Sequence, residues 1–102
     1  LGLRYPLDSF LVAGGARPVI YGTYRTLVDP GDTVIYPVPS WNNNHYVHMC
    51  GARGVQVLCG PETRFLPTGD TLLSELPSAR LVCLNSPLNP TGTAIDADAL
   101  ST

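Results

Sequence analysis

Short apolar runs alternate along this chain with segments whose apolar positions follow a helical period. Strands are predicted from the apolar runs at residues 9–13, 33–36, 55–58 and 80–84. Helices are predicted at residues 18–28 and 41–50, with a short helical piece at 71–76. This alternation predicts an α/β fold, a three-layer α/β/α arrangement whose sheet is mainly parallel and covered by helices on both faces.

Turn residues separate these elements. The sequence Asp-Pro-Gly-Asp at 29–32 ends the first helix and leads into a strand. Near the other end, Asp96 or Asp98 is placed to cap a further helix. The 102 residues have room for one small domain.

Composition and charge exclude several classes of protein. Charged residues make up 14% of the chain and the net charge is −2, which gives no reason to expect binding to nucleic acid or to an anionic membrane. No apolar run approaches the roughly 20 residues that span a bilayer. Cys50, Cys59 and Cys83 are odd in number and widely spaced, so a reducing compartment, the cytoplasm, is predicted rather than a secreted disulfide scaffold.

The first segment that could carry chemistry is Gly-Gly-Ala-Arg at 14–17, between a predicted strand and a predicted helix. Small residues let a ligand approach the backbone, and free N–H groups at a helix N-terminus favour a phosphate. A plain glycine turn is the competing interpretation of this segment.

The second segment, residues 39–45, follows a predicted strand end and holds Trp41, the one tryptophan of the chain. Ligands of open α/β sheets bind outside the carboxyl ends of the strands, and an indole there can stack on an aromatic ligand. Covering the sheet edge is the equally simple structural role. His45 and His48 lack partners at a recognised metal-ligand spacing, so no metal site is predicted.

The third segment, NSPLNPTG at 85–92, also follows a predicted strand. Its two prolines and terminal glycine restrict the backbone, so that Asn85 and Asn89 are presented at defined angles. An amide side chain there can donate to a phenolate-like oxygen or bind a carboxylate.

Taken in order, the Gly-Gly-Ala turn, the Asp-Pro-Gly-Asp turn, the Pro-Ser-Trp segment and the Asn-Pro-Thr-Gly loop resemble the class I/II aminotransferases, the fold-type-I family that depends on pyridoxal 5′-phosphate (PLP). The resemblance covers about residues 10–100. It implies an enzyme that moves an amino group between an amino acid and a 2-oxo acid, working as a homodimer with no nucleic-acid or membrane partner.

The resemblance also assigns roles to individual residues. It implies that the turn at Gly14, Gly15 and Ala16 holds the PLP phosphate through the backbone amides of Gly15 and Ala16. It implies that Trp41 lies against the pyridine ring, and that Asn89 hydrogen-bonds the ring hydroxyl oxygen. Both Trp41 and Asn89 are also expected to contact the substrate.

All six basic residues of the chain are arginines, and no lysine is present. The family's Schiff-base lysine lies beyond the Asn-Pro-Thr-Gly loop. Residues 1–102 are therefore expected to form part of the PLP-binding large domain, truncated before the lysine region, with no catalytic residue of their own and no activity in isolation.

Two alternatives stay open. A PLP-dependent lyase or synthase of the same fold would share these motifs. A non-catalytic, aminotransferase-like sensor domain of a transcription regulator would share them as well.

Overall fold

The computed structural model describes residues 4–98 and contains a three-stranded parallel sheet. The strands are β1 (Thr33–Val38), β2 (Arg53–Leu58) and β3 (Ala79–Val82), in the spatial order β2-β1-β3. Strand β1 is thus central. Its partners start at Thr33↔Arg53 on one side and Thr33↔Ala79 on the other, with an irregularity in register after Thr33 on the β3 side.

The helices are α1 (Ala16–Leu27), α2 (Asn43–Met49) and α3 (Gly69–Leu73). Short 3-10 turns occur at Leu7–Ser9, Pro61–Thr63 and Leu76–Ser78. None of the helices in residues 4–98 is long and apolar enough to cross a membrane.

The core has two parts, one on each face of the sheet, because successive side chains of a strand point to opposite faces. On one face, Val34 and Tyr36 of β1 pack with Tyr24 of α1, with Val28 directly after α1, and with Val47 of α2. On the other face, the core consists of Ile35, Val57 and Cys59, with Leu72 of α3 packed against it. The predicted α/β/α layering and parallel sheet are therefore confirmed.

The boundaries of the predicted elements shift by one to three residues, outward at some ends and inward at others, with β3 ending at Val82 rather than residue 84 and α3 at Leu73 rather than residue 76. Strand β1 continues through Pro37 to Val38, and α1 begins at Ala16 rather than residue 18. The Asp-Pro-Gly-Asp turn forms as predicted, with the amide of Asp32 donating to Asp29 O over 3.0 Å. The helix expected after Asp96 or Asp98 falls largely beyond residue 98, outside the described residues.

The strand predicted at 9–13 is wrong. Residues 7–9 form a 3-10 turn, and residues 10–13 have no regular secondary structure. Phe10 and Val12 are 63% and 94% exposed, because this apolar run pairs with none of the three strands that the structure describes. An apolar run forms a strand only where a neighbouring strand accepts its backbone hydrogen bonds.

The second helix is shorter than predicted. It was expected at 41–50, but Asn42 has a φ of 60° and keeps itself and Trp41 outside helical geometry. Asparagine tolerates this left-handed conformation better than most residues. Trp41 consequently lies on the connection between β1 and α2.

Candidate functional site

A cleft of about 640 Å³ opens at the carboxyl ends of β1 and β3. The sheet order makes this a switch point, since the chain passes from β1 to β2 on one side and then returns to β3 on the other. Open α/β sheets bind ligands in such crevices. The cleft is lined by the start of α1, the segment after β1, part of α2 and the segment after β3: Ala16, Arg17, Ile20, Thr23, Tyr24, Trp41, Asn43, Tyr46, Leu81, Val82, Cys83, Leu84, Asn85, Pro87 and Asn89.

Three of the five predicted site residues meet in this cleft. Ala16, Trp41 and Asn89 all line it, although they are far apart in sequence. Gly14 and Gly15 lie just before the first turn of α1 and are not among the lining residues.

Gly15 shapes the entry to α1. It has φ 119° and ψ 164°, a conformation almost restricted to glycine. Its own N–H donates to Ala13 O over 2.8 Å, so that amide is already occupied. No side chain caps the helix. The backbone N–H groups of Ala16 and Arg17, in the first turn of α1, therefore have no partner within residues 4–98.

Trp41 and Asn89 present free polar and aromatic groups to the cleft. The Trp41 side chain is 54% exposed. The guanidinium carbon of Arg17 lies 5.7 Å from the centroid of the Trp41 ring. The side-chain amide of Asn89 makes no hydrogen bond within residues 4–98, so it is available to a ligand.

The loop that carries Asn89 is held by its own hydrogen bonds. Asn85 Oδ1 accepts from the Asn89 backbone N–H over 2.9 Å, and Ser86 Oγ accepts from the Ile95 N–H over 2.9 Å. Leu88, only 3% exposed, anchors the loop. The side chain of Asn85 therefore stabilises the loop itself. The sequence pattern had presented Asn85 and Asn89 alike as amides that could bind a ligand.

The inner wall of the cleft contains a hydrogen-bonded cluster that the sequence did not predict. The Tyr24 hydroxyl donates to Asn43 Oδ1 over 3.0 Å, and its oxygen lies 3.1 Å from Cys83 Sγ. Tyr24 comes from α1, Asn43 from α2, and Cys83 follows β3 directly. One hydroxyl thus joins three of the segments that line the cleft. Tyr24 was identifiable from its helical period as a core residue, but nothing local indicates a partner 59 residues away.

Burial governs the ionisation of this cluster. Burial first, and then the hydrogen bond with Cys83, raise the pKa of Tyr24 above its usual range. Burial also raises the pKa of the Cys83 thiol, and the hydrogen bond with Tyr24 offsets part of this. Both groups are therefore neutral near pH 7 and act as neutral hydrogen-bonding groups.

No acidic side chain lines the cleft in the described part of the chain, and Arg17 is its one charged lining residue there. Within the same residues, no three His, Cys, Asp or Glu side chains are grouped in a way that could hold a metal ion. The groups available to a ligand are the backbone N–H donors of Ala16 and Arg17, the exposed indole of Trp41 and the unbonded side-chain amide of Asn89. Together they suit a ligand that combines an anionic group, a flat ring and a polar ring substituent.

Comparison with known proteins identifies the family of this chain. The family "Aminotransferase class I and II" matches residues 5–102. The chain therefore belongs to the class I and II aminotransferase family.

Individual relatives are similar over most of this chain. An aspartate aminotransferase of Rhizobium meliloti is 39% identical over 98 residues, which are 94% of this chain and 24% of the relative. An aspartate/prephenate aminotransferase of Cereibacter sphaeroides is 35% identical over 95 residues, or 91% of this chain and 24% of the relative. The chain thus spans about a quarter of the length of these relatives.

Solved structures show the same likeness. The crystal structure of the Rhizobium meliloti aspartate aminotransferase superposes with a TM-score of 0.89 at 37% identity, covering 98% of this chain and 26% of that one. The Thermus thermophilus aspartate aminotransferase with maleate gives a TM-score of 0.76 at 30% identity, covering 80% of this chain and 22% of that one.

The Tyr24 cluster predicts a stability difference between two tyrosines of α1. Tyr24→Phe leaves Asn43 and Cys83 without their shared partner, so the free energy of unfolding should fall by about 1–3 kcal/mol. Tyr21→Phe is the matched control, because the Tyr21 hydroxyl makes no hydrogen bond within residues 4–98. Chemical denaturation of the longest protein that the reading frame encodes measures both. Equal effects of the two substitutions would contradict the cluster's role.

The two glycines before α1 should respond differently to alanine. Gly15→Ala places a side chain on a backbone with φ 119°, which should lower the free energy of unfolding by about 1–3 kcal/mol. Gly14→Ala should leave it unchanged or slightly raised, because a Cβ meets nothing within 4 Å at either position and Gly14 has no positive φ. Thermal unfolding compares the two, and a loss at Gly14 as large as that at Gly15 would refute the argument.

Proposed function

We propose that this chain is part of an aminotransferase that moves an amino group between an amino acid and a 2-oxo acid with PLP as cofactor. The observation that carries the proposal is the meeting of Ala16, Trp41 and Asn89 in one cleft at the carboxyl ends of the strands. Family membership supports it, because the family resemblance implies PLP.

The residues present fit the chemistry of PLP, which has a phosphate dianion, a pyridine ring and a ring hydroxyl. The free backbone N–H groups of Ala16 and Arg17, with the positive end of the 12-residue helix α1, suit the phosphate. The exposed face of Trp41 suits the ring, and the free amide of Asn89 can donate to the ring oxygen. Gly14 and Gly15 contribute by shaping the turn, since the Gly15 N–H is already bonded to Ala13.

The cleft residues would orient the cofactor or stabilise its charge, and none of them would form a covalent bond with it. When bound, PLP supplies an electron-withdrawing ring that stabilises negative charge at the substrate's Cα. Backbone donors at the start of α1 would fix one end of the ligand, and Trp41 would fix the plane of its ring and exclude water from one side. Asn89 would stabilise negative charge on the ring oxygen through its N–H donor.

Proton transfer by a lysine amine is not available from this segment, because residues 1–102 contain none. We therefore expect the 102-residue segment by itself to be inactive in amino transfer. The proposal places it within the PLP-binding large domain of a protein that works as a homodimer in the cytoplasm. The family resemblance supports the dimer, and three free cysteines support the compartment.

Aspartate is the first amino donor to test, because the Rhizobium meliloti relative is an aspartate aminotransferase. The longest protein that the reading frame encodes, supplied with PLP, should release about one oxo acid per site from aspartate alone. Addition of a 2-oxo acid should then allow continuous turnover. Continuous product formation from an amino acid without an acceptor would contradict amino transfer and indicate a lyase instead. No reaction with any amino acid, from a folded protein that binds PLP, would indicate a sensor domain.

Removing the indole should weaken the cofactor site. Trp41→Ala is expected to weaken PLP binding at least about 2- to 13-fold, the equivalent of the roughly 0.5–1.5 kcal/mol of aromatic stacking. Trp41→Phe keeps a ring and should recover much of the affinity. Equilibrium dialysis with PLP measures both variants. Unchanged affinity in Trp41→Ala would show that the indole does not stack on the cofactor.

A further inference from the structure

Arg17 is the charged residue of the cleft that the proposed roles leave unexplained. Its backbone N–H belongs to the first turn of α1, but its side chain extends over Trp41, with the guanidinium carbon 5.7 Å from the ring centroid. A separation below about 6 Å is the range in which a cation is attracted to the face of an indole.

No other partner accounts for where this guanidinium lies. Within residues 4–98, ion pairs join Arg64 to Asp96 and Arg80 to Asp32, but none involves Arg17. Its side chain also makes no hydrogen bond there, and no acidic side chain lines the cleft. The contact with Trp41 is the polar interaction that remains.

Trp41 needs such a restraint. It is 54% exposed, and it lies on a connection without helix or strand, next to the left-handed Asn42. Its indole N–H makes no hydrogen bond within the described residues. A ring that moves freely would lose conformational entropy each time a ligand stacked on it, and a ring held beforehand would not.

We propose that Arg17 is a positioning residue, which holds the indole of Trp41 through its cation–π contact and so orders the ring before a flat ligand ring stacks on it. This inference rests on the proposed function, because it presupposes that a ring stacks on Trp41. The arginine side chain acts on the ligand through the tryptophan, while the Arg17 backbone N–H is a separate donor.

The test uses Arg17→Met in the longest protein that the reading frame encodes, with PLP and unphosphorylated pyridoxal as probes. The substitution removes the charge but keeps the backbone N–H. Both probes should bind about 2- to 5-fold more weakly, the loss expected for an exposed cation–π pair. Arg17→Lys keeps a cation and should restore most of the affinity. Arg25→Met, on the exposed last turn of the same helix, controls for the change in net charge and should have no effect.

A double-mutant cycle separates this role from general damage to the site. In a Trp41→Ala background, Arg17→Met should cause no further loss for either probe, because the ring it holds is gone. If Arg17→Met does not fold, Arg17→Gln takes its place, and thermal unfolding without ligand establishes that the variant is folded.

Three results would overturn the proposal. Loss of PLP affinity with pyridoxal affinity unchanged would show that Arg17 acts directly on the phosphate. Equal losses with and without the indole would show that Arg17 acts independently of Trp41, and no loss for either probe would show that it does not act on binding. Failure of the wild-type protein to bind PLP would instead refute the proposed function, so the two failures are distinguishable.

Discussion

The parallel pairing of β1 with a strand on each side is the constraint on which the other described elements depend. Strand β1 supplies Val34, Ile35 and Tyr36, which are nearly or fully buried, to both faces of the sheet. Because all three strands run in one direction, the segments that follow β1 and β3 emerge at the same edge. Trp41 and Asn89, which are 48 residues apart in the chain by their numbers, both line the cleft at that edge.

Pairing of the strands alone would not hold the cleft together, because its walls come from several separate segments. The Tyr24 hydroxyl joins three of these segments, since it lies on α1 and contacts Asn43 of α2 and Cys83 after β3. Hydrogen bonds inside the Asn85 loop and the approach of Arg17 to Trp41 then fix the groups at the surface. The exposed groups thus depend on the buried cluster. A buried polar network can fix the elements that carry exposed residues, whereas contacts with solvent cannot fix those residues.

Local sequence signals predicted the parts of this arrangement that have local causes. The apolar run around Ile35 and the Asp-Pro-Gly-Asp turn form structure where they stand, because burial and turn chemistry act over a few residues. The apolar run at 10–13 does not form a strand, because a strand needs a neighbouring strand to pair with. The pattern of apolar residues does not show whether such a neighbour is present. The Asn-Pro-Thr-Gly loop was recognisable because its prolines and glycine restrict the backbone directly. The contacts of Tyr24 with Cys83 and of Arg17 with Trp41 join distant residues, and only the folded chain brings them together.

The proposed function requires that PLP bind in the cleft between the first turn of α1, Trp41 and Asn89. A crystal structure of the longest protein that the reading frame encodes, grown with PLP, tests it most directly. We expect electron density for the phosphate at the backbone of Ala16 and Arg17, with the ring against Trp41 and its hydroxyl oxygen beside Asn89. Density for PLP elsewhere, or an ordered cleft without PLP at saturating concentration, would contradict it.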